Sequence, residues 1–498
     1  MKNLQLFSLA VLLTLGYHQS SSQGRTLPLD TTVVTTHQVN IKGQSVPYKA
    51  TTGTQPVWDD EGTIAAYLNY TYYERTDIKN KAERPVFISF NGGPGSGSVW
   101  MHLAYTGPMI LNVDDEGFPI QPYGVKDNPH SILDVADIVF VNPVNTGYSR
   151  IVDPEAKREM FFGVNADIAY LAEWISTFVG RINRWESPKY LIGESYGTTR
   201  VSGLALALQE RQWMYINGVI LVSPTELGID AMGAGRRDGP LGTALRLPYF
   251  TAAAWYHKKL PASLLQKDLL EVLDEAESYS LNELLPQLAK GGFIAESDRQ
   301  ATAKKMAMYS GISEKVFLQH NLDVPTNYYW KELLREEGFT IGRLDSRYKG
   351  IDGTDAGDRP DFNSELTSWL HSFTPAINYY YRNVLNFPTD VKYNLFGPVR
   401  PWDSEDNTTG QDLRKAMAMN PYLHTMVQSG YYDGATKYFD AKYTMWRIDP
   451  SGKMKDRFSF RGYRSGHMMY LRSEDLETAN EDIREFIEKS KARGPAKY

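Results

Sequence analysis

The sequence contains no cysteine in its 498 residues. A thiol nucleophile, a disulfide framework and any metal site built on cysteine are therefore excluded, and the fold must be held together by its core. Dense blocks of lysine and arginine are also missing, and the formal net charge is only -6. For this reason we do not expect a nucleic acid as a partner.

Long apolar runs are scarce, and the one near the N-terminus is short. Residues 1–23 combine a basic start, an apolar stretch from Leu4 to about Tyr17 and a polar run. This pattern predicts a secretory signal peptide, and an uncleaved membrane anchor is the alternative. We therefore expect an exported protein, periplasmic or secreted, without stable membrane insertion.

Short apolar runs rich in β-branched residues recur along the first half of the chain: residues 84–90, 136–144, 189–193 and 216–224. Such runs are typical of central strands in a sheet that is covered on both faces. Between the second and third runs, apolar residues from Ile168 to Ile182 follow helical spacing. Alternating strands and helices predict an α/β fold with a mainly parallel sheet.

The pattern changes after residue 226. Residues 227–400 are mostly helical in character and rich in Tyr and Trp, which predicts an insertion that caps the sheet and shapes its pockets. A strand pattern returns at residues 422–430, and an amphipathic helix closes the chain. We therefore predict two core segments, residues 24–226 and 401–498, separated by the helical insertion.

The pentapeptide Gly193-Glu194-Ser195-Tyr196-Gly197 places a serine between two glycines where a predicted strand meets a predicted helix. This pattern is typical of a nucleophile elbow, a strained turn that exposes a serine oxygen at the end of a sheet. A simple turn is the alternative. A serine nucleophile needs a base, and the base needs an acid that orients it.

The acid and the base follow the serine in the order that elbow enzymes use. Asp433 comes three residues after the predicted strand that ends at Gly430, although an aspartate beside Gly434 is also a common turn former. His467 lies in a glycine-bearing loop, and it is the only one of nine histidines that follows Asp433. Ser195, Asp433 and His467 are thus a candidate catalytic triad.

A tetrahedral intermediate also needs donors for its negatively charged oxygen. The amide after the nucleophile, that of Tyr196, supplies one, and a glycine-rich loop after an early strand, Asn91-Gly92-Gly93, is placed to supply another. These glycines lack the spacing of a phosphate-binding loop, and residues 351–361 lack the spacing of a calcium loop. No metal and no cofactor are predicted.

Five segments of the sequence resemble the signature blocks of the serine carboxypeptidases, peptidase family S10, in the order found in that family. They are "NGGPGSGS", "DIVFVNPVNTGYSR", "GESYG", "SGYYDGAT" and "GHMMY", and the form "GESYGTTR" is similar to bacterial members. The resemblance implies the α/β-hydrolase fold and assigns the triad to Ser195, Asp433 and His467. It also implies oxyanion-hole amides at Gly93 and Tyr196, and a site for the terminal carboxylate of the substrate at Asn91, Gly92 and Glu194.

The sequence departs from that family at two informative positions. Ser96 occupies the place of a cysteine that forms a disulfide in most eukaryotic members, and Tyr105 replaces a second acid of the carboxylate site. With one acid fewer, we expect burial to be the main cause of any rise in the pKa of Glu194.

The resemblance implies an exported serine carboxypeptidase that removes C-terminal residues from peptides with a free C-terminus through an acyl-enzyme. The alternatives are an esterase or acyltransferase on the same scaffold and, in a different class, a binding protein without catalytic activity. Asn91 and Glu194, which the resemblance assigns to the carboxylate site, favour the peptidase.

Overall fold

A computed structural model of the chain describes residues 25–152, 158–229, 239–491 and 494–495. The predicted signal peptide at residues 1–23 lies outside the described residues. Among the described helices, none is both long and apolar enough to cross a membrane.

A ten-stranded sheet forms the centre of the molecule. The strands of the structure are Thr31–Ile41 (β1), Gln44–Trp58 (β2), Ile64–Arg75 (β3), Val86–Phe90 (β4), Met109–Leu111 (β5), Val125–Asp127 (β6), Asp137–Val141 (β7), Arg150–Ile151 (β8), Lys189–Glu194 (β9), Gly218–Val222 (β10), Thr340–Ile341 (β11), Lys349–Gly350 (β12), His424–Gly430 (β13) and Phe458–Tyr463 (β14). The strand order in the large sheet is β1-β2-β3-β7-β4-β9-β10-β13-β14, with β8 beside β3, while β5 pairs with β6 and β11 with β12.

The sheet is parallel from β7 to β14 and antiparallel at the edge formed by β1, β2 and β3. The predicted central strands are confirmed as β4, β7, β9 and β10, and the predicted strand at 422–430 as β13. The antiparallel edge was not predicted. Its strands carry many Thr and Tyr residues instead of continuous aliphatic runs.

Helices cover both faces of the sheet. They are Val99–Ala104 (α1), Val164–Arg181 (α2), Tyr196–Arg211 (α3), Gly239–Tyr256 (α4), Ala262–Leu265 (α5), Leu269–Tyr279 (α6), Leu285–Leu288 (α7), Glu296–Ser310 (α8), Glu314–Gln319 (α9), Thr326–Glu332 (α10), Ser364–Tyr379 (α11), Thr409–Met419 (α12), Tyr438–Ile448 (α13) and Ser473–Ser490 (α14). In β4, Phe87 packs into the cluster that includes α1, α11 and α14, whereas Ile88 and Phe90 pack into the cluster with α2, α3 and α12. Alternate residues of one strand thus build two apolar layers.

The predicted insertion range consists of two parts with different packing. Helices α4 to α10 surround an apolar cluster of their own, in which Phe250 stacks on Tyr329 with ring centroids 3.8 Å apart. Helix α11 instead joins the main core, where Phe373 packs edge-on against Trp100. The predicted boundaries at residues 227 and 400 stay predictions.

The parallel strands end at one edge of the sheet. Asn91 follows β4, Ser195 follows β9, Asp433 follows β13 and His467 follows β14. Because the carboxyl ends of parallel strands meet at the same edge, residues that are far apart in the sequence converge there.

Candidate active site

Ser195 occupies the sharp turn between β9 and α3, with a φ of 57° and a ψ of -126°. Such a conformation is strained for a residue other than glycine. A β-carbon on Gly193 would lie 2.2 Å from the carbonyl oxygen of Gly197, and one on Gly197 would lie 2.9 Å from that of Phe90. Both glycines are therefore required by close backbone contacts, and the turn has the strained geometry of a nucleophile elbow.

Asp433 and His467 contact each other directly. His467 Nδ1 lies 2.6 Å from Asp433 Oδ2, and both side chains are buried. The amides of Ala435 and Thr436 donate to Asp433 Oδ1, and the Thr436 hydroxyl donates to Oδ2 over 2.6 Å. Four donors thus hold the carboxylate, and a proton on Nδ1 leaves Nε2 of His467 free to act as a base.

The charges around His467 favour its protonated form. Burial alone would lower the pKa of the imidazole, but the Asp433 carboxylate and, more weakly, Glu194 outweigh it and raise the pKa above the usual value. Arg343 acts in the opposite direction. The imidazolium that forms when a base takes a proton is therefore stabilised at this site.

Residues 343–346, which we call the bracing segment, connect the two loops that carry Asp433 and His467. Three backbone hydrogen bonds make this connection: Gly434 N–H to Arg343 O (3.0 Å), His467 N–H to Leu344 O (2.6 Å) and Ser346 N–H to Tyr432 O (2.9 Å). The segment lies within the predicted insertion range, so the insertion helps to set the relative positions of Asp433 and His467.

Glu365 at the start of α11 holds the bracing segment in turn. Its Oε1 accepts a hydrogen bond from the amide of Leu344 over 2.8 Å, and in the described part of the chain its Oε2 has no hydrogen-bond partner. The side chain is fully buried, and burial raises the pKa of Glu365 to about 7.

Glu194 lies directly before Ser195 and is almost completely buried. The hydroxyl of Tyr470 donates to its Oε1 over 2.6 Å, and the side-chain amide of Asn91 donates to its Oε2. Burial raises the pKa of Glu194, although nearby His467 and the hydrogen bonds from Tyr470 and Asn91 oppose the rise. The predicted direction and main cause are thus confirmed.

The loop after β4 is tied to the elbow helix by Arg200. This buried side chain forms an ion pair with buried Asp167 over 2.7 Å and donates to the carbonyl oxygens of Asn91 (2.7 Å) and Pro94 (3.3 Å). A β-carbon on Gly92 would lie 2.5 Å from the amide nitrogen of Tyr196, so this loop packs directly against the elbow.

A cavity of about 390 Å³ brings most of the predicted site residues together. Its wall includes Ser195, Glu194, His467, Gly92, Gly93 and Tyr196. The insertion range contributes Arg343, Leu366, Trp369 and Phe396, as its predicted role in shaping the pockets requires. Asn91 is fully buried and contacts Glu194 instead of lining the cavity. Asp433 does not line the cavity and contacts Nδ1 of His467.

Several residues of the site were not identified from the sequence. Tyr470 lies in the "GHMMY" block, but its contact with Glu194 depends on how the last loop folds back over β9. Arg343 and Glu365 belong to the insertion and carry no local motif. Within the described ranges, no group of three or more histidine, aspartate or glutamate side chains is placed to hold a metal ion.

Comparison with known proteins finds the similarity in sequence mainly in the first core segment. The family model described as serine carboxypeptidase, peptidase S10, matches residues 43–225. This range includes the loop after β4 and the elbow, and it ends before Asp433 and His467.

Curated relatives match over similar lengths. The carboxypeptidase Y homolog of Arthroderma benhamiae is 26% identical over 179 residues, which are 34% of this chain and 32% of the relative. The retinoid-inducible serine carboxypeptidase of Homo sapiens is 28% identical over 142 residues, 28% of each chain. The pheromone-processing carboxypeptidase kex1 of Aspergillus niger is 30% identical over 146 residues, 29% of this chain and 22% of the relative. The matches thus span about a third or less of each relative.

Among solved structures, the fold is similar to that of Kex1Δp, a prohormone-processing carboxypeptidase from Saccharomyces cerevisiae. The TM-score is 0.52 at 13% sequence identity, over 89% of this chain and 92% of that chain. This similarity confirms the α/β-hydrolase fold. The family match over residues 43–225 and the curated relatives show that part of the chain is similar in sequence to serine carboxypeptidases, peptidase family S10.

Proposed function

We propose that the protein is an exported serine carboxypeptidase that hydrolyses the last residue from peptides with a free C-terminus. The observation that carries this proposal is the position of Glu194. A buried acid lies next to the nucleophile, in the wall of the same cavity as Ser195 and His467. An enzyme that cleaves esters or internal bonds has no need of an acid there.

In the proposed reaction Ser195 attacks the last peptide carbonyl while Nε2 of His467 takes the hydroxyl proton. Asp433 stabilises the imidazolium, and the amides of Gly93 and Tyr196 donate to the oxygen of the tetrahedral intermediate. His467 then gives its proton to the leaving amine, which frees the terminal residue and leaves an ester at Ser195. Water, activated by His467, hydrolyses that ester and restores the serine.

The terminal carboxylate of the substrate is proposed to bind at Glu194 and Gly92, while Asn91, which does not line the cavity, acts through Glu194. A protonated Glu194 can donate a hydrogen bond to a carboxylate, whereas an ionised one repels it. The amide of Gly92 supplies a further donor, while Asn91 fixes the orientation of Glu194. The raised pKa of Glu194 supports this role because it extends the pH range in which the acid is protonated.

Export rests on the pattern of residues 1–23, which predicts a signal peptide and a periplasmic or secreted protein.

The proposed reaction uses side chains, backbone amides and water.

The nucleophile is tested with a fluorophosphonate probe and a blocked dipeptide substrate. Ser195→Ala should abolish labelling and lower kcat by several orders of magnitude, because the acyl-enzyme cannot form. Ser202→Ala is the matched control, since Ser202 lies on the same helix, is fully buried and does not line the cavity. Turnover at the wild-type rate in Ser195→Ala would contradict the proposed function.

A further inference from the structure

The catalytic cavity adjoins a second one, of about 530 Å³, and the two share Arg343 and Ala435 as wall residues. Ala435 follows the acid loop, and Arg343 belongs to the bracing segment. Arg246, Lys437 and Trp330 line the second cavity. The two cavities thus adjoin at Arg343.

The proposed function, on which this step rests, fixes the orientation of the bound peptide relative to Ser195. Glu194 and Gly92 hold the terminal carboxylate, so the released residue lies on their side of Ser195. A carboxypeptidase binds a single residue beyond the cleaved bond, and the rest of the chain must leave elsewhere. Arg343 lines the same cavity as Ser195 and His467, so a peptide that leaves along this wall would bring the residue before the terminal one close to the guanidinium.

Arg343 is a cation without an anionic partner. As far as the structure describes the chain, its guanidinium makes no ion pair and no hydrogen bond, and the side chain is partly buried. The other two cations that line the second cavity each have an anionic partner. Arg246 lies 3.2 Å from Asp323, and Lys437 lies 3.5 Å from Asp440. A partly desolvated and unpaired guanidinium favours an anionic ligand, above all a carboxylate that it can bind with two donors.

The position of Arg343 is fixed by its own backbone and that of its neighbour. Its carbonyl oxygen accepts from Gly434, and the carbonyl oxygen of Leu344 accepts from His467. The positive charge is close enough to His467 to oppose protonation of the imidazole. A substrate carboxylate paired with Arg343 would neutralise this charge and so ease the proton transfer from Ser195.

The acids near this wall do not already neutralise the guanidinium. Glu226 and Asp440 line the second cavity, but Asp440 faces Lys437 and Glu226 has another partner. Glu365 directs its Oε1 to the amide of Leu344 and forms no ion pair with Arg343, which is the weakest of the influences on its pKa.

We propose that Arg343 is a specificity-determining residue that pairs with an acidic side chain in the residue before the released one. The protein would then prefer peptides whose penultimate residue is Glu or Asp.

Three peptides that differ only at the penultimate residue, Glu, Gln or Lys, test the inference with the full-length mature enzyme. In the wild type, kcat/KM for the Glu peptide should exceed that for the Gln peptide by about tenfold, the usual strength of a charge-assisted hydrogen bond. The ratio should fall at high salt. Arg343→Met should bring this ratio to about one, and Arg343→Lys should still prefer the Glu peptide to the Gln peptide. Arg343→Glu should instead prefer the Lys peptide.

The ratio is read within each variant, so a general loss of activity does not affect it. Arg382→Met serves as a matched control that removes an exposed arginine outside both cavities, and it should keep the wild-type ratio. Equal rates on the Glu and Gln peptides in the wild type, or an unchanged ratio in Arg343→Met, would overturn the inference while leaving the proposed function intact. Failure to trim any of the three peptides would instead contradict the proposed function, and the inference with it.

Discussion

Tyr470 has a defined electrostatic effect on Glu194, the acid beside Ser195. Its hydroxyl donates to Glu194 Oε1 over 2.6 Å, which stabilises the charged form of the carboxyl and lowers its pKa. Removing that donor should therefore raise the pKa of Glu194 further. The side chain thus sets the pH at which the proposed carboxylate site stops accepting substrate.

Tyr470→Phe should shift the rise in KM for a free-acid peptide to higher pH, because Glu194 stays protonated longer. The KM of the purified variant is measured between acidic and neutral pH. Tyr105→Phe is the control. Tyr105 stacks on Tyr470, but its hydroxyl donates to Gln428, so removing that hydroxyl should leave the dependence of KM on pH unchanged. A shift of the Tyr470→Phe profile to lower pH, or the same shift in both variants, would contradict this role.

At the scale of single residues, the sequence indicated a candidate triad but not the side chains that contact it. The chain order of Ser195, Asp433 and His467 follows from the chemistry of an elbow enzyme, and the Asp433–His467 contact agrees with it. Tyr470, Arg200 and Arg343 could not be assigned, because each acts through contacts between residues distant in sequence. Such contacts leave no local pattern that a sequence reveals.

Among the elements, the bracing segment and helix α11 form a pH-sensitive connection. The pKa of Glu365 is about 7 in the folded protein, against an ordinary value of 4.5. As the pH rises from about 4.5 to about 7, the unfolded chain loses this proton while the folded chain keeps it. The contribution of Glu365 to the free energy of unfolding should therefore fall by on the order of 3 kcal/mol across this range.

Glu365→Gln removes this titration. We expect the difference in unfolding free energy, wild type minus variant, to decrease as the pH is raised from 4 to 8, measured by urea unfolding. Glu336→Gln, at an exposed position of the same insertion range, should show no such trend. A difference that stays constant or increases with pH would contradict the raised pKa of Glu365.

Element prediction succeeded where burial produces one simple pattern. Strands β4, β7, β9 and β10 are buried on both faces, so each reads as an apolar run. The edge strand β14 is only half-buried, with the mixed sequence "FSFRGY", and it was not recognised. An edge strand has one face toward solvent and one toward the core, so its sequence lacks the continuous apolar run of a central strand.

For the whole molecule, the class of fold could be predicted from the alternation of strands and helices, whereas the shape of the cavity could not. Trp369 and Phe396 reach the wall from the insertion range, and Trp100 reaches it from the first core segment. Their convergence depends on the packing of α11 into the main core. Such long-range packing is decided by the fit of many side chains, which a single sequence does not display.

The central claim is that a protonated Glu194 binds the free C-terminal carboxylate of a peptide. The most direct test compares kcat/KM for a free-acid peptide and its C-terminal amide, in wild type and Glu194→Gln, from acidic to neutral pH. The ratio of the two peptides cancels the titration of His467, which affects both alike. In the wild type the free acid should be strongly preferred at low pH and lose this advantage as the pH rises, through KM more than kcat. Glu194→Gln keeps a neutral donor and should show a ratio that changes little with pH. Equal cleavage of both peptides at every pH by the wild type would contradict the claim.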